Sequence, residues 1–173
     1  GMMGVAGPPA TWGLYRDGGR IAALPMPGAL DAAYAPSALS AAPYALRPGA
    51  RTLLIGASGG YRVAEALTLG ASHVDVVETE PVLHAALARG MAGSPGLPSD
   101  PRVRLLDDGP VAAAWSAGRG AWRIVDVSAD FIDAAPANAA GLTVEAMQAY
   151  LAALDPEGMV SVPVSIRAFP VYA

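Results

Sequence analysis

The chain has 173 residues, 53% of them apolar, with a net charge of −4 and no cysteine. Without cysteine there are no disulfides, thiolate nucleophiles or cysteine-ligated metals, and because all 11 basic residues are arginine there is no lysine for a Schiff base or a P-loop. The acidic balance argues against nucleic-acid binding, the two histidines are too few for a histidine metal site, and no metal is expected. Mean hydropathy is +0.37, yet every apolar run is broken by Gly, Pro, Arg or Asp well before the roughly 18 residues of a membrane span. The start lacks the charged and apolar regions of a secretory signal, so a cytoplasmic protein of one domain is expected.

Taken in order, "WGLYRDGGRIAAL" reads as a hairpin turning at Asp17-Gly18. "LDAAYAPSALSAAPYAL" reads as helix in pieces, interrupted by Pro36 and Pro43. This irregular lead-in, residues 1–50, precedes a regular alternation over 51–173. "RTLLIG" is a buried strand, Gly60 to Leu69 a helix stopped by Gly70, and "HVDVVET" a second strand. Pro81 opens a helix to about Arg89, and "GMAGSPGLPSDP" is a loop. "VRLLDD", "GPVAAAWSAG" and "WRIVDVS" read as strand, helix and strand, and "ADFIDAAPANAAG" as a long loop. Thr143 caps "VEAMQAYLAAL", "PEG" turns, and "GMVSVPVSI" is the fifth strand. Continuous apolar strands separated by helices imply a doubly wound, mostly parallel, Rossmann-like α/β sheet.

The first strand ends at Gly56 and "GASGG" leads straight into a helix, offering close backbone approach and free N–H groups. Glu78 ends the second strand, where a carboxylate can accept hydrogen bonds from both ribose hydroxyls. The plain alternative is a tight turn followed by a solvated acid. A dinucleotide fingerprint would place glycine where Ser58 and Tyr61 stand, which disfavours NAD. Tyr61 either stacks on a ligand or packs in the core. Of the remaining candidates, His73 reads as a strand-entry residue, His84 as a residue of a helix surface, and Trp12, Trp115 and Trp122 as core or edge aromatics.

"RTLLIGASGGY", "VDVVETEP", "DPRVRLLDDG" and "TVEAMQAYLAALDPEGMVSV" together resemble the spermidine synthase family of aminopropyltransferases, within the S-adenosylmethionine-dependent methyltransferase superfamily. The likeness runs from about Tyr34 to Val162 and is nearest to the divergent spermidine-synthase-like domains of larger bacterial proteins. It implies the methyltransferase type of Rossmann-like fold, and S-adenosylmethionine or its decarboxylated form as co-substrate. It also implies that Gly56, Ser58 and Gly60 lie against the sugar and the methionine-like tail, that Glu78 holds the ribose, and that Asp108, beside Asp107, accepts the adenine amino group.

The departures from the family are as informative. Its substrate-facing Asp in the glycine turn falls on Gly59, its catalytic acid ending the fourth strand falls on Ser128, and its "YHE" reads Tyr34-Ala35-Pro36. Asp126, Asp130 and Asp133 are the acids at hand to replace them, so Asp126, Ser128 and Asp130 stand as catalytic candidates and Tyr34 and Tyr61 as substrate candidates. The functional expectation is a spermidine-synthase-like nucleoside-binding group transferase. The alternatives are an S-adenosylmethionine-dependent methyltransferase and a non-catalytic nucleoside-binding module of a larger protein. Phe169, Val171 and Tyr172 are apolar at the end of the chain, which suggests a homodimer through a C-terminal strand, or a fold cut short after its fifth strand.

Overall fold

A computed structural model describes residues 11–26, 31–91, 94–134 and 136–163. Strands β1 (Thr11–Arg16) and β2 (Gly19–Pro25) form an antiparallel hairpin, turning where Asp17 and Gly18 take φ of 52° and 82°. Two 3-10 turns and the short helix α1 (Ala42–Leu46) follow, with Pro36 and Pro43 each in the first turn of a piece, where their missing N–H is not needed.

Next come β3 (Arg51–Ile55), a 3-10 turn at Ser58–Gly60, α2 (Tyr61–Thr68), β4 (His73–Val77) and α3 (Pro81–Arg89). A minimal ribbon, β5 (Gly90–Met91) with β6 (Ser94–Pro95), lies within the stretch read as loop. Then follow β7 (Val103–Leu106), α4 (Pro110–Ala117), β8 (Trp122–Val127), α5 (Ala129–Ala134), a 3-10 segment (Pro136–Leu142), α6 (Val144–Ala153) and β9 (Leu154–Ser161). The long loop expected after β8 is thus corrected to helix. The expected "PEG" turn survives as an irregularity in β9, where Leu154 pairs with Trp122 but Met159 already pairs with Ile124.

The five strands of the main sheet are parallel, in the order β7-β4-β3-β8-β9. Strand order reverses at β3, so the carboxyl ends of β3, β4 and β8 border the crevice where α/β sheets bind ligands. Alternate side chains of each strand feed two cores. Leu54, Val74, Val76 and Ile124 pack with α2, α3 and the hairpin residues Ala22 and Leu24. Leu53, Ile55, Val125 and Val127 pack with α4 and α6, whose small Ala113, Ala114, Ala146 and Ala149 let the helices lie close.

Two buried polar knots fasten this frame. On one face of the sheet, Asp75 in the middle of β4 accepts from Arg104 at 2.8 and 3.0 Å and from the Trp122 indole at 2.7 Å, with His73 at 3.2 Å. Trp122 therefore reaches over β3 to tie β8 to β4. On the other face of the sheet, the Arg62 guanidinium binds both Glu65 and Asp126. Tyr34 donates to Glu65 at 2.6 Å, Ser40 to Glu65 at 3.2 Å and Tyr44 to Asp126 at 2.9 Å. Burial works against the charge on Arg62, but Asp126 and Glu65 overcome it and hold the guanidinium above its ordinary range. Burial likewise pushes Asp126 up, against the pull of Arg62, Tyr44 and Ser161.

Removing the cation that the described residues supply to two buried carboxylates leaves uncompensated charge, a change that typically costs about 3–5 kcal/mol. Arg62→Met should lower unfolding stability in urea by that order, and Asp126→Asn in the Arg62→Met background should recover part of it. Equal stability of Arg62→Met and the wild type would contradict a stabilising role for the knot.

Candidate functional site

The site is built at the carboxyl ends of β3 and β4. Gly56 leaves β3 with φ 87° and its N–H donates to the Val77 carbonyl at 2.8 Å, which stitches the glycine turn to β4. Glycine is required twice here. A Cβ on Gly56 would lie 2.6 Å from the Phe131 Cβ, and one on Gly59 (φ 68°) would lie 1.7 Å from the Ala23 carbonyl oxygen. The hairpin thus rests directly on the turn. Ser58, with φ 47°, and Gly60, with φ 102°, complete the change of direction into α2.

Glu78 follows β4 and turns its carboxylate back to the glycine turn. One oxygen accepts the Ala57 N–H at 3.3 Å and the other accepts the Glu80 N–H at 3.1 Å. Burial raises its pKa above the ordinary glutamate value of 4.5, opposed by those backbone donors at Glu80 and Ala57. The Thr79 N–H also acts on the carboxylate, which keeps at least one of its four lone-pair sites for a further hydrogen bond. Glu80 caps α3 through the Leu83 N–H at 2.8 Å, with Pro81 at its first position.

A cavity of about 220 Å³ opens among Thr79, the residue that follows Glu78, and Gly109, Pro110, Val111, Phe131, Asn138 and Gly141. Phe131 and Asn138 come from the helical stretch after β8. Asn138 is buried; its amide accepts from the Thr79 hydroxyl at 2.9 Å and donates to the Phe131 carbonyl at 2.7 Å. These bonds join the end of β4 to the segment that closes the cavity. A volume of this size suits one fused ring system; whole drug-sized ligands need about 300 Å³ or more.

The remaining candidates spread over different surroundings. Asp107 and Asp108 are exposed at the end of β7, with the Asp107 carboxylate 3.4 Å from His84 Nε2 and Asp108 next to Gly109 on the cavity rim. Ser128 is buried and donates its hydroxyl to the Gly56 carbonyl. Asp126 lies in the Arg62 knot on the sheet face and Tyr34 is bound to Glu65, so neither presents a free polar group to the glycine turn. Asp130 is exposed in the first turn of α5, and the Asp133 side chain lies outside the described residues. Tyr61 is buried. The apolar Phe169, Val171 and Tyr172 also lie outside the described residues. Among the described residues no group of three His, Asp or Glu could hold a metal ion, and no helix is long and apolar enough to cross a membrane.

Sequence reasoning passed over Thr79, Phe131 and Asn138. The signal was the length of "ADFIDAAPANAAG", marked as suspect for function, but its alanine-rich interior gave no pattern that assigned Asn138 a partner.

No family model and no curated protein matches the chain. Among solved structures it is similar to an arsenic(III) S-adenosylmethionine methyltransferase from Chlamydomonas reinhardtii, at 18% identity and a TM-score of 0.45 over 72% of this chain and 44% of that one. The chain therefore spans less than half the length of that protein.

A raised Glu78 pKa means that the fold favours its protonated form. The resulting stability is present below about pH 4.5 and is lost as pH rises through the folded-state value. Between about pH 4 and about pH 7, wild-type stability should therefore fall relative to Glu78→Gln, whatever the constant offset between them. Urea unfolding across that range measures it, and parallel profiles would refute it.

Proposed function

We propose that this chain is an adenine-nucleoside-binding domain of the S-adenosylmethionine-dependent methyltransferase type, with S-adenosylmethionine as its ligand. The observation that carries the reading is the Glu78 carboxylate, held by the Ala57 N–H of the glycine turn, with the next residue, Thr79, lining a cavity the size of one ring system. Glu78 would accept the ribose hydroxyls, the cavity would take the base, and the turn from Gly56 through Ser58 to Gly60 would lie along the rest of the ligand. Asp107 and Asp108 are exposed at the end of β7, just before the lining residue Gly109, and would face the ligand only from outside the cavity. When bound, S-adenosylmethionine supplies a sulfonium that already activates its methyl group, so the protein's part is largely positioning.

Aminopropyl transfer has less support. An amine acceptor needs carboxylates to hold its ammonium groups and a base to free a nitrogen. Asp126 instead pairs with the chain's own Arg62, Tyr34 donates to Glu65, and Ser128 donates to Gly56. Among the described residues, Asp130 is the candidate acid near the end of β8 that stands in solvent. The same engagement of Asp126 and Ser128 favours, as a second reading, a nucleoside-binding module without catalysis.

Calorimetric titration with S-adenosylmethionine, decarboxylated S-adenosylmethionine and methylthioadenosine tests the proposal. S-Adenosylmethionine should bind at least as tightly as the decarboxylated form, and Glu78→Ala should weaken binding by about 1–3 kcal/mol, roughly tenfold to a hundredfold. Preference for the decarboxylated form would return the reading to aminopropyl transfer. No binding by a folded sample would overturn it.

A further inference from the structure

Asn138 belongs to none of the stretches that carry the family resemblance, yet its amide is a buried, doubly hydrogen-bonded group on the cavity wall. Of the described residues lining that cavity, only Thr79 and Asn138 have polar side chains. Phe131, Pro110 and Val111 offer apolar surface suited to a flat ring, and Gly141 leaves no slack. A Cβ there would lie 3.1 Å from the Phe131 ring and 3.5 Å from Pro110.

The amide cannot be turned over. Its nitrogen donates to the Phe131 carbonyl at 2.7 Å, which can only accept, while its oxygen accepts from Thr79 at 2.9 Å. Reversal would bring two oxygens together at Phe131. A primary amide has two N–H groups and two lone pairs, so one donor and one acceptor remain, in a fixed order.

We infer that Asn138 is the specificity-determining residue for the base, selecting a 6-aminopurine over a 6-oxopurine; this rests on the nucleoside-site reading above. The adenine edge offers an amino donor beside a ring-nitrogen acceptor, which complements a donor and an acceptor of fixed order. On a 6-oxopurine the amino donor becomes a carbonyl acceptor. Its major-groove edge then has two acceptors, one of which meets the amide oxygen. Its Watson–Crick edge presents an acceptor beside a donor, but meets the locked amide only if the base rotates or turns over, which carries the ribose away from Glu78. Thr79 is a positioning residue that holds the amide through its hydroxyl.

The test is calorimetric binding of adenosine and inosine, which differ at this one position of the base. Wild-type protein should prefer adenosine by about tenfold to a hundredfold, the discrimination of one good bidentate contact. Asn138→Ala should bring the two nucleosides to near parity, and Thr79→Val should reduce the preference while leaving the amide in place. Glu78→Ala should weaken both nucleosides and keep the ratio. This separates loss of the ribose contact from loss of base reading, and a merely structural role for Asn138 would not move the ratio. A preference that survives in Asn138→Ala, or wild-type protein that binds inosine as well as adenosine, overturns the assignment and leaves the nucleoside site standing. If neither nucleoside binds folded wild-type protein, both the site and the assignment fall.

Discussion

A single guanidinium sets the geometry on one face of the sheet. Arg62 stands in the first turn of α2, immediately after the glycine turn, and binds Glu65 on its own helix and Asp126 on β8. Through those carboxylates it also gathers Tyr34, Ser40 and Tyr44 from the lead-in. Helix α2, strand β8 and the lead-in are thereby fixed relative to one another, and so is the turn they flank. A buried pair of this kind contributes little net stability over an apolar replacement, because desolvation offsets much of the attraction. Its value is directional. The guanidinium fork binds its partners in few geometries, whereas an apolar contact would tolerate sliding.

The fold was legible because its signals are local and repeated. Apolar runs of strand length, Gly70 after a helix, Pro81 at a helix start and Thr143 at a cap each act within a few residues, and the described elements agree with them. The stretch after β8 misled for an equally local reason. "ADFIDAAPANAAG" has a proline and an asparagine in its interior, which read as loop, but two short pieces divided near Pro136 accommodate them. Packing of Phe131 against Gly56 supplies what propensity alone did not.

The site was legible only in its backbone half. Gly56 and Glu78 act through the main chain and a strand end, and their spacing appears in the sequence. The partners of Asp126 do not. Tyr44 and Arg62 lie far away in the chain, and nothing in "WRIVDVS" indicates that its acid faces an arginine rather than a ligand. Asn138 was missed for the same reason, since its partners Thr79 and Phe131 are brought together only by the closing of the helical stretch. Charge-bearing residues are the hardest to assign from pattern, because pairing within the chain and pairing with a substrate use the same groups.

The hydrogen bond from Tyr44 to Asp126 spans 82 positions of the chain. During vectorial synthesis at the ribosome, the lead-in is made before β8, so this tie can form only once β8 has emerged. Ala22 and Leu24 find core partners sooner, because Leu54, Ala57 and Val63 of the same cluster are made before β8. The lead-in is thus secured in two stages, its hairpin against the early strand, turn and helix, and its Tyr44 against β8 afterwards.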